Sequence, residues 1–571
     1  MRLARHFLDD LWLGTVLLIL FSTLLAMALS VRGLLPQTAG IALPFGALAA
    51  AFAVWKQHRR HPCADGLPGD HWLWRWAACI CFSLFALRAF SWLIFQKEEQ
   101  IAVLSRNNLG DLPLHIQYIQ FFAHGAPLWP ANPIHAHSTI GYPFGMDYFN
   151  AILDVCGFPL WHALIITGLV CSLATGIALH RWGRAFGLAG FLFNGGAAGL
   201  AIFATAKWED YQAAVDWKNI PLALFVTQRG FLYALPAGLL LLTHWRGMLA
   251  SPEASSRRLP LSLQWLIYAT MPLFHIHTFI FLSAMLAGFA FFGKNKQLFW
   301  WLGIAAFFPA TGLVWLLTDG FRAASHLAWL PGWMQGETFS ASYWLRNFGA
   351  LPFFAAWLVY ILVRKRASAE LIWVLPALGM FVMTLFIKFS PWEWDNTKLM
   401  MWSYLVILPF LWKALLERTH ILVRATSCFL LFASGFVSLF GGLGSGEKGY
   451  EIADGAAALG VAQTVKGFPI LETFAAAPGY AHPLVFAGRR LALGYHGHMV
   501  GHGIPYDAEK KAMDRLMLGA ADWQQAAATL GVRYIYWGPE EERTWPKSEK
   551  PWVAAAELVA TESWGEIYKL P

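Results

Sequence analysis

Apolar runs long enough to cross a bilayer recur along this chain from residue 11 to residue 441. A spanning helix needs roughly 20 apolar residues, at about 1.5 Å of rise each. The runs fall near 11–31, 40–56, 72–95, 155–180, 185–206, 219–244, 262–274, 275–292, 298–317, 345–363, 370–388, 398–416 and 420–441, about thirteen crossings by that rule. No soluble core accommodates such a series. Composition agrees, with 57% hydrophobic and only 13% charged residues, where a soluble domain carries about 25% charge. The 30 Trp and 44 Phe suit membrane interfaces and lipid-facing surfaces. The expected fold is mainly α: a polytopic transmembrane helical bundle over residues 1–442 of an inner (plasma) membrane.

The net charge of +8 reads as basic loops on the cytoplasmic side, with no nucleic-acid partner implied. With the amino terminus inside, "KQHRRH" at 56–61, "HRWGR" at 180–184, "HWRG…SSRR" at 244–258, "GKNK" at 293–296 and "VRKR" at 363–366 all fall inside. This bookkeeping requires 262–274 and 275–292 to be separate passes. Together they span only about 31 residues, too short for two full crossings, so they are expected to form a broken helix or two half-helices. The first run follows "MRLARHFLDD", whose Asp9 and Asp10 argue for an uncleaved span rather than a signal peptide. The six cysteines lie mostly in or beside apolar runs, and form no readable disulfide framework.

The outer face then receives the loop 96–154, the segments 207–218, 318–344 and 389–397, and the tail 443–571. The tail alternates strand-like runs ("FPILETF", "HPLVFAGRRLALGY", "VRYIYWG", "GEIYKL") with helix-like runs ("DAEKKAMDRLMLG", "AADWQQAAATLG"). It reads as a small extracytoplasmic α/β domain.

The polar clusters gather on that outer face. In "GDLPLHIQYIQFFAHG", Asp111 is placed to cap an amphipathic interfacial helix, with Pro113 in its first turn and Gly125 closing it. His115 lies four residues on, near Asp111. The loop continues through His124, His135, His137 and Asp147; the "HAH" pair has no specific zinc spacing, and a divalent metal is left open. "FVTQRGFLYALP" places Gln228 and Arg229 at membrane depth, where an Arg marks a functional candidate suited to an oxyanion, or else snorkels to the interface. "MPLFHIHTFIF" places His275 and His277 at the broken helix, where only a break could bring them together. "FSPWEWDNTK" brings Glu393, Asp395, Asn396 and Lys398 to a helix junction, as a phosphate support or as a structural ion pair in an aromatic belt. Asp319, Arg322, His326 and Arg346 give a weaker set of phosphate or sugar contacts. Carboxylates at the interface with cations and histidines just below suit a transferase whose donor is a lipid-linked phosphate sugar. The tail stays in the bilayer, cations meet the phosphate and a carboxylate deprotonates the acceptor.

These motifs together resemble the GT-C superfamily of polytopic glycosyltransferases, in particular an uncharacterised bacterial and archaeal branch. The resemblance is carried by "GDLPLH", "YPFGMD", "TQRG", "PLFHIH", "PWEWDNTK" and "HPLVFAGRRLALGYHGHMVGHGIPYD", from about 105 to 540. It implies an inverting transfer from a polyprenyl-phosphate sugar to an envelope glycan, lipid or protein. Asp111 stands where the superfamily keeps its catalytic carboxylate, His115 supports it, and Asp147 is the alternative base. Arg229, Lys398, Gln228, His275 and His277 would hold the donor phosphate, and Asp395, Glu393 and Arg346 would serve the acceptor or the structure. The rival readings are a transporter or flippase of a lipid-linked glycan, and an envelope assembly protein whose tail binds its partners.

Overall fold

The computed structural model describes residues 2–58, 71–250, 259–321, 326–336, 338–444 and 449–571. Cys63, Arg322 and parts of the basic stretches 56–61 and 244–258 lie outside them.

The described part is mainly helical, and the count of thirteen crossings is not confirmed. Seven helices are long and apolar enough to cross a membrane: His6–Ser30, Leu35–His58, Trp72–Ser91, Leu160–Leu192, Lys296–Leu317, Glu393–Leu416 and Ile421–Gly444. An eighth arises if Ala341–Phe348 and Leu351–Arg364, bent by 79° at their junction, are one span. The expected spans at 155–180 and 185–206 are joined through one kinked helix, with Arg184 at φ 58°, ψ −150°. The chain folds back there, bringing Gly187 so near the first helical piece that a methyl on it would stand 3.0 Å from the Leu179 carbonyl. Arg246 donates to the carbonyls of Arg181 and Trp182 at 3.2 and 3.1 Å, closing the helix end before the reversal. "HRWGR" is thus the end of one helical piece and a tight reversal at Arg184 into the next, with no open loop between them.

The break near 275 is present. His275 is extended (φ −162°, ψ 104°) between Met271–Phe274 and Ile276–Phe292. Its Nδ1 accepts the Thr278 N–H at 3.0 Å, which caps the second half-helix in the way Ser or Asp usually does. The helix Arg229–Ala250 lies against this break. A methyl on Gly230 would stand 2.2 Å from the Phe274 carbonyl, so only glycine lets the two backbones meet. Gly230→Ala is expected to lose about 1–3 kcal/mol by overpacking. It would appear as a lower melting temperature of the detergent-purified protein; a wild-type melting temperature would show the contact to be slack.

The polar segments collect at one end of the bundle. Tyr343 donates to Asp216 at 3.0 Å, Trp394 donates to the Asp216 carbonyl at 2.9 Å, and Thr139 reaches Asp319 at 3.5 Å. The opposite end holds the pairs His58–Asp10 (2.6 Å), Arg181–Asp9 (2.7 Å) and Lys413–Glu370 (3.0 Å).

The tail carries a five-stranded sheet in the order Arg490–Leu491, Thr473–Ala475, Val532–Trp537, Gly565–Lys569, Glu557–Glu562, parallel at the first two pairings and antiparallel at the last two. Two expected strands are mostly otherwise. "FPILETF" pairs only near its end, and "HPLVF" opens as the helix Pro483–Phe486, because Pro483 fits a first helical position and His482 caps it by accepting from Leu484 N. The boundary at 442/443 is also less clean than a domain division. The transmembrane helix runs to Gly444, and the first tail strand, Tyr450–Asp454, joins the loop hairpin Phe95–Lys97/Gln100–Val103 in one sheet.

Candidate active site

The loop helix Asn108–Ala123 departs from the amphipathic interfacial helix expected of it. Every residue from Leu112 to Ile119 is buried, because the tail covers the face that would have been wet. Gln117 donates to the carbonyls of Pro133 and Arg489 at 3.2 and 2.9 Å. Gly488, at φ +64°, brings the tail backbone against Gln120 and Phe121, where a methyl would stand 2.5 Å from the Gln120 Cβ. Gly125 (φ +91°) closes the helix as expected. Asp111 does not cap it: the helix begins three residues earlier, after Asn107.

Released from capping, the half-buried Asp111 carboxylate accepts from Gln228 Nε2 at 3.0 Å. Gln228 is placed by the π-turn Pro221–Phe225, immediately before the helix that starts at Arg229. Burial raises Asp111 above the usual carboxylate range, against the opposing pull of His115, Lys398 and the Gln228 hydrogen bond and with a further push from Asp395. One turn further along the helix, His115 Nδ1 lies 3.0 Å from both carboxylate oxygens of Asp147, and both side chains are buried. Asp147 is held in the first turn of Gly145–Val155, where a methyl on Gly145 would stand 2.9 Å from the Leu273 carbonyl of the broken helix. The two "alternative bases" are therefore unlike: Asp111 is partly open, and Asp147 is sealed under a histidine.

Arg229 is fully buried. Its only hydrogen bond among the described residues is to the Leu164 carbonyl at 3.5 Å, Nε and Nη1 have none, and the main opposite charge it feels is Asp147. Lys398 pairs with Asp395 at 3.0 Å, one helical turn apart. Asn396 ties this junction by donating to the Thr384 and Ile387 carbonyls, both at 2.8 Å, and accepting from Phe389 N at 3.1 Å. His277 Nε2 lies 2.8 Å from Ser390 Oγ, and the break brings the His275 and His277 rings to 5.7 Å. Arg346 is exposed, with its carbonyl accepting from Ala197 N at 3.1 Å; the Glu393 carbonyl accepts from Trp333 Nε1 at 3.0 Å. Neither is drawn into the Asp111 cluster by these contacts.

Three residues join the cluster that the motifs did not single out. Tyr142 sets its ring 5.9 Å from His115 and stacks on His502 at 5.0 Å. His498 donates from Nε2 to the Gly110 carbonyl, next to Asp111, at 3.2 Å. Loss of water contact pulls His502 down to about 3 and His498 to about 4, so both are neutral at physiological pH. His502 feels Asp395, Lys398 and His115 as well as His498, so the loop helix, the Lys398 junction and the tail meet in one polar cluster. The sequence signals were "YPFGMD", which contains Tyr142, and the histidine and glycine spacing of "GYHGHMVGHG", which ordinary turns also explain. No three His, Cys, Asp or Glu among the described residues come together to hold a metal ion.

The arrangement is that of a polytopic membrane protein with a polar cluster at one end, packed against an α/β tail. Two solved structures of the Archaeoglobus fulgidus oligosaccharyltransferase are similar to this chain. The apo form aligns at TM-score 0.49 and 12% identity over 83% of this chain and 71% of that one. A form tethered through a disulfide to an acceptor peptide with the NVT sequon aligns at TM-score 0.44 and 11% identity over 85% and 72%. No family model and no curated protein matches.

Proposed function

We propose that this chain is a membrane glycosyltransferase of GT-C type, transferring a sugar from a polyprenyl-phosphate donor to an extracytoplasmic acceptor with inversion at the anomeric carbon. The observation that carries the reading is Asp111: a partly open carboxylate, oriented by Gln228, in a cluster that also holds Lys398 and neutral imidazoles. The lipid-phosphate donor rests on the motif resemblance from "GDLPLH" to "PWEWDNTK". The end that bears the cluster and tail is taken as the outer face of the inner membrane.

In this reading Asp111 accepts the acceptor hydroxyl proton as the oxygen bonds to the anomeric carbon. The carbon–phosphate-oxygen bond breaks on the opposite side, and its electrons leave with the polyprenyl phosphate. Lys398 and His277 meet the developing charge. Asp147 keeps His115 in one tautomer and orientation beside Asp111, and Arg229 acts beneath them through Asp147.

The test is sugar transfer by the full chain in lipid nanodiscs, with radiolabelled polyprenyl-phosphate sugars and membrane-extract acceptors. Release of polyprenyl phosphate together with labelled acceptor supports the reading. Movement of intact donor between leaflets without its consumption would replace it with the flippase. The pH dependence follows from the base. Only ionised Asp111 accepts a proton, and burial raises its pKa. Transfer is therefore expected to rise with pH along an acid limb lying above the ordinary carboxylate range, in kcat/KM measured between about pH 4 and 8. A limb at the ordinary carboxylate pKa would argue for a solvated base elsewhere.

A further inference from the structure

The polar end of the bundle also carries large apolar side chains that the described residues leave uncovered. Trp329 is 70% exposed and Phe339 79%, and Leu345 and Phe386 are exposed with them. Trp329 belongs to the short strand Ala328–Trp329, which pairs with Ile387–Lys388, and its ring stacks on Phe386 at 5.6 Å. Leu345 stands on the helix Ala341–Phe348, which buries Asn347 and Phe348 and exposes Leu345 beside Arg346. Apolar and cationic side chains on the free face of a short helix suit a helix lying in a membrane interface, the cation reaching toward the headgroups.

Angle and length set the depth of these residues. Ala341–Phe348 meets Leu351–Arg364 at 79°, so a helix standing across the membrane continues into one lying nearly along its surface. Leu351–Arg364 has 14 residues, and Ser368–Met383, the next helix in the chain, has 16. At about 1.5 Å per residue they rise roughly 21 and 24 Å, short of the roughly 30 Å hydrocarbon core. Arg364, Lys365 and Arg366 at the turn between them belong at the opposite surface. The ends that lead into Ala341–Phe348 and Phe386 therefore stop below the headgroups on the polar side. Leu375, Val382 and Phe386, all exposed and spaced seven and four residues apart, form one row that runs from the lipid-facing flank of the helix to the Trp329 stack.

We infer that Trp329, Phe339, Leu345 and Phe386 form a lipid-contact surface, seated at the boundary of acyl chains and headgroups on the polar side, with bulk phospholipid as its partner. Lipid there removes from water four large apolar side chains that the fold itself leaves out. The surface is tied to the candidate site. Leu330 N donates to the Phe386 carbonyl at 2.7 Å, and Trp333 Nε1 to the Glu393 carbonyl at 3.0 Å. Tyr343, two residues from Leu345, and Trp394 meet on Asp216. Seating in the lipid thereby sets the depth of the Asp395–Lys398 junction. Lipid contact does not depend on the transferase reading.

The experiment omits any donor lipid. The full chain, with benzoylphenylalanine replacing Trp329, Phe339 or Leu558, is irradiated in phosphatidylcholine vesicles and its intact mass is measured. Leu558 is the control. It is half exposed, but lies on Glu557–Glu562, the sheet edge farthest from the strand Arg490–Leu491 that meets the loop through Leu491 N and the Pro133 carbonyl. The 329 and 339 variants are expected to give a protein–phosphatidylcholine adduct in roughly tenfold or greater yield than the 558 variant, as residence in lipid against water implies. All three positions are exposed, so the replacements leave the packing intact, and two independent positions probe the surface. Lipid adducts at 329 and 339 no more abundant than at 558 overturn the inference. Adducts between two protein chains at 329 and 339, in place of lipid, overturn it in favour of a second copy of the chain.

Discussion

Asp111→Asn is expected to cut sugar transfer by roughly 10²–10⁴-fold, the usual contribution of a positioned general base, while the protein keeps its wild-type melting temperature. The substitution is close to isosteric. Gln228 Nε2, now 3.0 Å from Asp111 Oδ2, can donate equally to an amide oxygen, so the local geometry survives. The like charge of Asp395 is relieved of its neighbour, and no helix end loses its cap, because the helix starts beyond Asn107. A capping role would give the reverse signature: normal transfer and a stability loss of about 0.5–2 kcal/mol. Transfer equal to wild type in the folded Asn variant would remove Asp111 from the chemistry. Measuring transfer and melting on the same preparation separates these outcomes.

The second large effect concerns the charges beneath the base. Asp147→Leu is expected to destabilise the protein by about 3–5 kcal/mol, the cost of leaving a buried charge without its partner. The charge left behind is Arg229, fully buried, whose main opposite charge is Asp147. His115 loses its Nδ1 partner at the same time. Asp147→Leu/Arg229→Leu is then expected to regain most of that stability, since the buried guanidinium left without its main opposite charge is removed as well, yet to remain impaired in transfer because His115 is no longer held. Thermal melting and transfer rate, read across the double-mutant cycle, give the coupling. Additive stability losses would mean that Arg229 and Asp147 do not act together. Arg229→Leu that keeps its stability but weakens donor binding would return Arg229 to the phosphate.

Particular residues show what one sequence can carry. His275 was legible as a break because two apolar runs were too short for two crossings, and hydropathy and charge alternation are local sums along the chain. The tail's α/β character was legible for "VRYIYWG" and "DAEKKAMDRLMLG", whose periods are unambiguous. "HPLVF" misled because an apolar run of that length suits a buried strand or a helix equally, and the cap His482 and Pro483 decided it. The count of thirteen spans is not confirmed, since only seven helices among the described residues, or eight with the bent pair, are long and apolar enough to cross by themselves.

Within the candidate site, Asp111, Gln228, Lys398 and the broken-helix histidines were nameable from residue type and depth, because a charge or imidazole in an apolar run is costly wherever the chain goes. Their partners were not. Asp147 reads as a second base until it is seen 3.0 Å from a buried His115, and His498 and His502 sit nearly 400 residues from the loop they complete. The sequence alone thus determined a polytopic membrane protein with its polar groups gathered on one face, since both follow from where apolar length and charge fall along the chain. Tertiary structure alone decided which carboxylate stays partly open, which is sealed, and that the tail packs against the loop helix beside them. Those facts depend on which distant segments exclude water from each other, and no local pattern encodes that.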